Sequence, residues 1–200
     1  GILITRTDPN VAKHKGLTMF FLDMNSPGIE VVPIKQATGN SEFNEVYFDN
    51  VRIPDDQRLG EVGEGWRVSI TTLMNERMAI GGGIATGFPE IHELVSRTNI
   101  EGQPALEDAN VQSKLADWYV KSSGLKNNAN RMITALSKGE LPGPENSIGK
   151  LVAGNMMQDI AKFAIDLQGP GGVLVDPEVA EGAARFQAML LRSPAVRIEG

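Results

Sequence analysis

The sequence contains no cysteine and only two histidines, His14 and His92. A chain without thiols forms no disulfide bond and offers neither a thiolate nucleophile nor a thiolate ligand for a metal. So few histidines also argue against a His-rich metal site. The sequence therefore predicts chemistry that depends on neither cysteine nor a bound metal ion.

Positive charge and long apolar runs are scarce as well. The chain has 19 Lys and Arg residues against 25 Asp and Glu residues, a formal net charge of −6. An acidic chain does not favour binding to nucleic acid or to an anionic membrane surface. No window approaches the roughly 18 uninterrupted apolar residues of a membrane-spanning helix, and no secretion signal is visible. We expect a cytoplasmic protein that has no membrane span and binds no nucleic acid.

The remaining composition is that of an ordinary globular protein. Its 200 residues are 41% hydrophobic and 22% charged, which suffices for one large domain or two small ones. The chain opens on the strand-like "GILITRTD" without a Met and stops at "RIEG" without a helix stop signal. We expect both ends to be cuts through a longer protein.

Residues 1–58 have the pattern of short β-strands. Four runs rich in Val, Ile, Phe and Tyr alternate with turn signals; the runs are "GILITR", "GLTMFFLD", "IEVVPIK" and "NEVYFDNVRIP". The alternation in the last run is imperfect, which predicts burial on parts of both faces. Four short strands rarely fold alone, so we expect part of a sheet that lacks its first strands.

From residue 63 onward, apolar residues recur every three or four positions, which indicates helices. The first helix is predicted over 63–97, with Pro89 inside it as a kink or as the end of a first segment. Further helices are predicted over 107–138, 147–168 and 177–191. The sequence thus predicts an α+β fold, in which a partial antiparallel sheet is followed by a four-helix up-down bundle.

The stretch "TTLMNERMAIGGG", residues 71–83, does not suit a plain bundle. Arg77 lies on the apolar stripe of the first helix, where a buried guanidinium needs either a structural partner or an anionic ligand. Glu76 lies about 100° around the helix and is either a solvated flank or a carboxylate whose apolar neighbours favour proton uptake, as suits a general base. Each glycine of the triplet at 81–83 costs about 0.5–1 kcal/mol against Ala. The triplet favours either close helix packing or a ligand lying against the backbone.

A second glycine-rich stretch, "QGPGGVL" at 168–174, separates the third and fourth predicted helices. No strand precedes it, so it is not the phosphate-binding fingerprint of a Rossmann fold or a P-loop. Two interpretations remain open, a simple turn between helices and a backbone site for a phosphate or a ring.

The order of these parts resembles the acyl-CoA dehydrogenase family. "NEVYFDNVRIPDDQRLGEVGEGWRVSITTLMNERMAIG" is similar to the family's junction between the middle β-domain and the C-terminal helical domain, and "GLTMFFLDMNSPGIEV", "GPENSIGKL" and "RIEG" extend the likeness over nearly the whole chain. The resemblance implies that 1–58 form the C-terminal part of the middle β-domain, half of a β-barrel. It also implies that 59–200 form the C-terminal four-helix bundle domain, truncated at its end, and that the N-terminal domain is missing.

The resemblance implies an FAD-dependent dehydrogenase that converts an acyl-CoA thioester to trans-2-enoyl-CoA. In this family a carboxylate removes the α-proton while the β-hydride goes to flavin N5. In most branches that carboxylate lies in a C-terminal Y-E-G-T segment, where this sequence has Glu199 at the Tyr position and Gly200 at the position of the base. In the long-chain and isovaleryl branches it lies just before the helix Arg, which corresponds to Glu76 in "NER". Glu76 is therefore the implied base, and the implied substrate-binding residues are Met74, Asn75 and Arg77.

Two family segments that meet FAD are altered in this sequence. The Q-[IL]-x-G-G segment appears as "DLQGP", with Asp166 at the Gln position and Pro170 in place of a Gly. The R-x-x-F-G segment corresponds to "RTNIEG", with a stretched spacing. The implied cofactor-binding residues are Arg97, Asp166, Leu167, Gln168, Gly169 and Pro170.

The resemblance also implies partners. Electrons pass to an electron-transfer flavoprotein, and the protein forms a homodimer or homotetramer. Because flavin sites of the family are completed across a dimer interface, the altered segments are also compatible with a hetero-oligomer of unequal subunits. Two alternative functions remain, an acyl-CoA oxidase or flavin monooxygenase-like enzyme on the same fold and a non-catalytic partner subunit.

Overall fold

The computed structural model of the protein describes residues 1–83, 86–140, 143 and 146–198, with the backbone alone at position 75, at 77–83 and at 146. The chain divides into two compact units, 1–76 and 77–200. The domain boundary between 58 and 59 that the resemblance implies stays a prediction. Glu199 and Gly200 lie outside the described residues.

The first unit contains two small antiparallel sheets. Strand β1 (Ile2–Arg6) pairs with β2 (Leu17–Phe21), and the short strand β5 (Arg58–Leu59) pairs with the other edge of β2. Strand β3 (Ile29–Ile34) pairs only with β4 (Phe43–Phe48) in the described part of the chain. The antiparallel sheet predicted for residues 1–58 is confirmed, and the described strands do not close into a barrel.

The hairpin of β3 and β4 carries an apolar face that the described part of the chain leaves largely exposed. Cross-strand partners share a face, so Ile29, Val31, Val46 and Phe48 lie together. Every residue of β4 is exposed. The predicted burial on both faces of this strand is therefore wrong for the described chain, because its described neighbours provide a pairing strand and no covering layer.

Helix α1 (Gly65–Gly83) begins directly against strand β2. A Cβ built at Gly65 would lie 2.7–2.8 Å from backbone atoms of Thr18, so only glycine allows this approach. One turn later, the buried Ser69 donates a hydrogen bond to the Gly65 carbonyl oxygen at 2.5 Å. The fully buried Thr18 fixes the preceding turn, since its hydroxyl accepts from the Gly63 amide at 3.0 Å.

The face of α1 that is buried differs from the prediction. Trp66, Ile70 and Leu73 begin the predicted apolar stripe, yet they are 45, 41 and 40% exposed. The close approach of the helix to β2 leaves room for small side chains only, so Gly65 and Ser69 take the buried positions. The helix itself continues through the glycine triplet to Gly83, as predicted.

The second unit is a bundle of four helices. They are α2 (Phe88–Arg97), α3 (Ala109–Ser137), α4 (Asn146–Leu167) and α5 (Arg185–Ile198). A small hairpin of β6 (Asn99–Ile100) and β7 (Gln103–Pro104) follows α2. The carboxylate of Asp108 caps α3 by accepting from the amides of Asn110 and Val111. The α+β fold class and the bundle predicted for the helical part are confirmed.

The core of the bundle lies where α2, α3, α4 and α5 meet. Trp118 is only 1% exposed, and its ring meets Phe163 edge-on at 5.3 Å between centroids. The other buried core residues are apolar and include Ile91, Leu94, Val95, Val111, Met156, Ile160, Ala164 and Phe186. All four helices contribute side chains to this core, which joins them.

The predicted helix 63–97 forms two helices, which agrees with the alternative that a first segment ends near Pro89. Gly87 has φ +83° and caps α2, and Pro89 suits its first turn. The predicted helix 177–191 starts later, at Arg185, since Gly182, Ala183 and Ala184 are left-handed. It also runs past Pro194 to Ile198. Pro194 has no backbone N–H to donate to the Leu190 carbonyl oxygen. The Ser193 hydroxyl donates to that oxygen instead, at 2.9 Å.

Candidate functional site

Glu76 lies on α1 and ends the first compact unit. Its side chain is exposed, so the described part of the chain does not supply the apolar surroundings that the sequence predicts for it. Its helical neighbour Met74 is half-buried. The side chains of Asn75 and Arg77 lie outside the described residues. The structure thus places an accessible carboxylate on the predicted helix, next to the exposed Leu73.

Two arginines close to the start of α1 are matched by carboxylates. The pKa of Arg58 is raised, chiefly by its hydrogen bond to Asp55 at 2.9 Å. The pKa of Arg67 is raised by the 2.6 Å hydrogen bond to Glu64. Both guanidinium groups are therefore paired with neighbouring acids on the surface of the first unit.

The five consecutive residues of the altered "DLQGP" segment lie at the end of α4 and in the turn that follows. Asp166, Gly169 and Pro170 are exposed, whereas Leu167 packs against the bundle core. Gly169 has φ +56° and begins a short 3₁₀ turn, Gly169–Val173. Of these five residues, three are therefore exposed, and the side chains of Leu167 and Gln168 turn inward.

Gln168 is held by a residue that sequence reasoning missed. The Gln187 Nε2 group donates to the Gln168 Oε1 atom at 3.1 Å and to the Gly172 carbonyl oxygen at 2.9 Å. Gln187 is on the first turn of α5 and only 4% exposed. The available signal in the sequence was a lone amide after Phe186 in an apolar helix. The side chain of Gln168 is thus engaged inside the bundle, and its predicted role as a direct cofactor contact stays a prediction.

Arg97 is the last residue of α2 and belongs to an ion-pair network. Its guanidinium lies 3.6 Å from Glu93 and 3.3 Å from Glu181, and Arg185 lies 3.4 Å from Glu93. The two positive and two negative charges balance within the chain. Because these groups are about half exposed, the pairs contribute little to stability, roughly 0–1 kcal/mol each.

The first turn of α5 joins these two parts of the second unit. Arg185 contacts Glu93 on α2, and Gln187 contacts the turn after α4. The structure therefore brings the Arg97 network and the glycine-rich turn to the same end of α5. Glu76 belongs to the other compact unit.

A groove of about 380 Å³ lies on α3 and α4, away from the predicted site residues. It is lined by Lys121, Leu151, Val152, Asn155, Met156 and Asp159 and contains none of the predicted site residues. Among the described residues, no group of His, Asp and Glu side chains is arranged to hold a metal. None of the described helices is long and apolar enough to cross a membrane.

Comparison with known proteins places these features in context. The family model described as "Acyl-CoA dehydrogenase, C-terminal domain" matches residues 63–200. The chain is 37% identical to the acyl-CoA dehydrogenase FadE34 of Mycobacterium tuberculosis over 174 residues, which are 87% of this chain and 24% of that protein. It is 32% identical to the acyl-CoA dehydrogenase IpdE1 of Mycolicibacterium smegmatis over 178 residues, 87% of this chain and 43% of that protein.

A solved structure has the same fold. The chain superposes on the ChsE4–ChsE5 complex from Mycobacterium tuberculosis with a TM-score of 0.82 and 21% identity, over 99% of this chain and 52% of that one. At this identity the likeness concerns the fold alone. The chain spans between about a quarter and a half of the length of these three proteins.

Proposed function

Because this chain belongs to the acyl-CoA dehydrogenase family, we propose that the protein oxidises an acyl-CoA thioester to trans-2-enoyl-CoA. The observation that carries the proposal is the family match over 63–200, a range that includes every proposed site residue. FAD, when bound, supplies the acceptor for the hydride that leaves the β-carbon. The α-carbon loses its hydrogen as a proton, so the substrate gives up two electrons in all.

Glu76 is the proposed base. Its carboxylate takes the α-proton of the thioester, which needs an accessible oxygen within hydrogen-bonding reach of that carbon. The exposed position of Glu76 on α1 meets the requirement for access. Met74, Asn75 and Arg77 surround it in the sequence, and we assign them to the CoA and acyl path. We assign Arg77 to an anionic group of CoA, since a guanidinium suits a phosphate.

The glycine-rich turn after α4 offers open backbone to a flat group such as a ring of FAD. A Cβ built at Gly169 or Gly171 would meet no described atom within 4 Å, so the backbone of the turn is open on that side. Asp166 and Pro170 are exposed beside it. Arg97 has more N–H donors than its two carboxylate partners engage, and we assign it to the FAD pyrophosphate.

We assign the partners by the same reasoning from the family. The reduced protein passes electrons to an electron-transfer flavoprotein and works as a homodimer, a homotetramer or a hetero-oligomer. A non-catalytic partner subunit is the second candidate function. The observation that favours it is the Arg97 network, in which the charge needed for a pyrophosphate is already balanced by two carboxylates.

The test is the variant Glu76→Gln in the whole protein. It retains FAD and acyl-CoA, yet anaerobic bleaching of the flavin by acyl-CoA slows by roughly 10²–10⁴, the usual contribution of a general base. Glu64→Gln, which removes an acid just before the same helix, is the matched control and bleaches at the normal rate.

Other outcomes decide against parts of the proposal. Near-normal bleaching in Glu76→Gln would assign the base to another residue. A wild-type protein that carries no flavin and reduces none would favour the non-catalytic subunit. Rapid reoxidation of the reduced flavin by oxygen would identify an oxidase or a monooxygenase-like enzyme.

A further inference from the structure

The amide of Gln187 is buried between α5 and the glycine-rich turn. Its Nε2 group donates to the Gly172 carbonyl oxygen at 2.9 Å and to Gln168 at 3.1 Å. The orientation of both amides follows from chemistry, because the Gly172 carbonyl oxygen only accepts. Nε2 of Gln187 must face it, and Oε1 of Gln168 must then face Nε2.

This arrangement leaves two buried polar atoms without a partner among the described residues. They are the Oε1 atom of Gln187 and the Nε2 atom of Gln168. A buried acceptor or donor without a hydrogen bond loses its hydration and gains nothing in return. An apolar side chain of the same length, such as Met, would fill the space without that cost. Stability alone therefore explains the buried amide poorly.

The turn that Gln187 holds has one closed side and one open side. Gly172 is buried, and a Cβ there would collide with the Ile165 carbonyl oxygen, so the turn lies directly on the end of α4. Gly169 and Gly171 have open space where a Cβ would be. The hydrogen bond from Gln187 reaches Gly172, on the closed side of the turn. The backbone of Gly169 and Gly171, on the open side, stays free of that contact.

We propose that Gln187 is a positioning residue that holds the turn Gly169–Val173 so that its open backbone meets FAD. The proposal rests on the proposed function, which places FAD at this turn. Gln187 acts through Gly172 and has no direct contact with the cofactor. A turn already held in its binding conformation loses less freedom when a ligand arrives, and the ligand binds more tightly. The glycines leave the backbone of the turn uncovered because they have no side chain. They also give the turn more conformational freedom, which the hydrogen bond from Gln187 restricts.

The experiment compares two variants of the whole protein. Gln187→Met keeps the length of the side chain and removes the donor. Ser193→Ala, also on α5 and fully buried, removes a hydrogen bond to Leu190 that does not involve the turn. For each variant, the dissociation constant of FAD is measured by fluorescence titration, and hydrogen exchange of the amides of Gly169 and 171–174 is measured in the flavin-free form.

We expect Gln187→Met to raise the dissociation constant of FAD about three- to tenfold, the factor that corresponds to one net hydrogen bond. Exchange in the turn accelerates by a similar factor, while exchange in α2 stays unchanged. Ser193→Ala lowers the thermal midpoint and leaves both the FAD affinity and the exchange in the turn unaltered. Such a pattern separates positioning of the turn from a general loss of stability.

The inference is overturned if Gln187→Met binds FAD normally, or if its turn exchanges at the wild-type rate. Gln187→Asn keeps the amide but is one methylene shorter. If Gln187→Met does not fold, the same two measurements are made on Gln187→Asn and decide the question. A wild-type protein that binds no FAD would refute the proposed function and the cofactor part of this inference. The exchange rates would then still show whether Gln187 holds the turn.

Discussion

The guanidinium of Arg97, at the end of α2, lies 3.3 Å from the carboxylate of Glu181, in the turn before α5. The two residues are far apart in the sequence and meet only because the bundle brings α2 and α5 together. Arg97 is also the proposed contact for the FAD pyrophosphate. If Arg97 binds the pyrophosphate as proposed, Glu181 competes with the cofactor for the same positive charge.

This competition predicts that Glu181→Gln strengthens FAD binding. Removing the carboxylate leaves more of the Arg97 charge for the pyrophosphate, and a charge pair at this distance in water is worth about 1 kcal/mol, or about fivefold in affinity. The dissociation constant, measured by fluorescence titration of the whole protein, falls two- to fivefold. Glu178→Gln, which removes an exposed acid from the same segment, leaves it unchanged. An equal effect of both variants would contradict a specific role of Glu181.

The hydrogen bond between Trp118 and Asp159 predicts a loss of stability. The indole Nε1 of the buried Trp118 donates to the Asp159 Oδ2 atom at 2.9 Å, which ties α3 to α4. Asp159→Ala removes that acceptor and lowers the free energy of unfolding by about 0.5–1.5 kcal/mol, because Asp159 is exposed and water replaces part of the lost hydrogen bond. Asp159→Asn keeps an acceptor and costs less. Urea denaturation of the whole protein measures both, and equal losses would show that the acceptor is unimportant.

Asp117→Asn serves as the control for that comparison. Asp117 pairs with Lys121 at 2.6 Å, but both side chains are about half exposed. An exposed ion pair of this kind is worth roughly 0–1 kcal/mol. A loss as large as that of Asp159→Ala would mean that charge on α3, rather than the buried indole, determines the stability.

The break between α1 and α2 predicts opposite effects for two glycine substitutions. Gly87 has φ +83°, and a Cβ there would lie 2.7 Å from the Met189 side chain, so Gly87→Ala destabilises by about 1–3 kcal/mol. Gly124 lies inside α3 with open space around it, and Gly124→Ala stabilises by about 0.5–1 kcal/mol. Thermal unfolding distinguishes the two signs. A stable Gly87→Ala variant would show that the helices can join without this turn.

The contact between α1 and β2 predicts a local defect in Gly65→Ala. The new Cβ would lie 2.7–2.8 Å from the Thr18 backbone, which cannot give way as a flexible side chain can. Overpacking of this kind costs about 1–3 kcal/mol. Hydrogen exchange should accelerate in β2 and in the first turn of α1 while the bundle core keeps its protection. Unchanged exchange would show that the start of the helix can shift away from the strand.

Much of the helical architecture could be predicted from the sequence. The 3.6-residue period over 107–138 and 147–168 agrees with α3 and α4 to within two residues at each end. The predicted fourth helix began eight residues too early, since its apolar pattern gives no sign of the left-handed backbone at 182–184. Periodicity reports which side chains suit a helix, and it says little about where a turn interrupts one.

The burial of α1 shows a different kind of error. Trp66, Ile70 and Leu73 suit a buried stripe, but β2 approaches so closely that Gly65 and Ser69 occupy the contact. The largest apolar residues of a helix are therefore not always those that touch its neighbour. Which face is buried depends on the distance between the elements, and a pattern of residue types does not contain that distance.

The sequence by itself determined the α+β fold class, the helical bundle and the family to which the chain belongs, because hydrophobic period, turn residues and motif spacing are local properties. Only the tertiary structure decided that Gln187 holds the Gly172 carbonyl oxygen and that Arg97, besides its neighbour Glu93 on the same helix, also pairs with Glu181. The contacts to Gly172 and Glu181 join helices to turns that lie elsewhere in the sequence. They form only once the apolar core has set the positions of those helices.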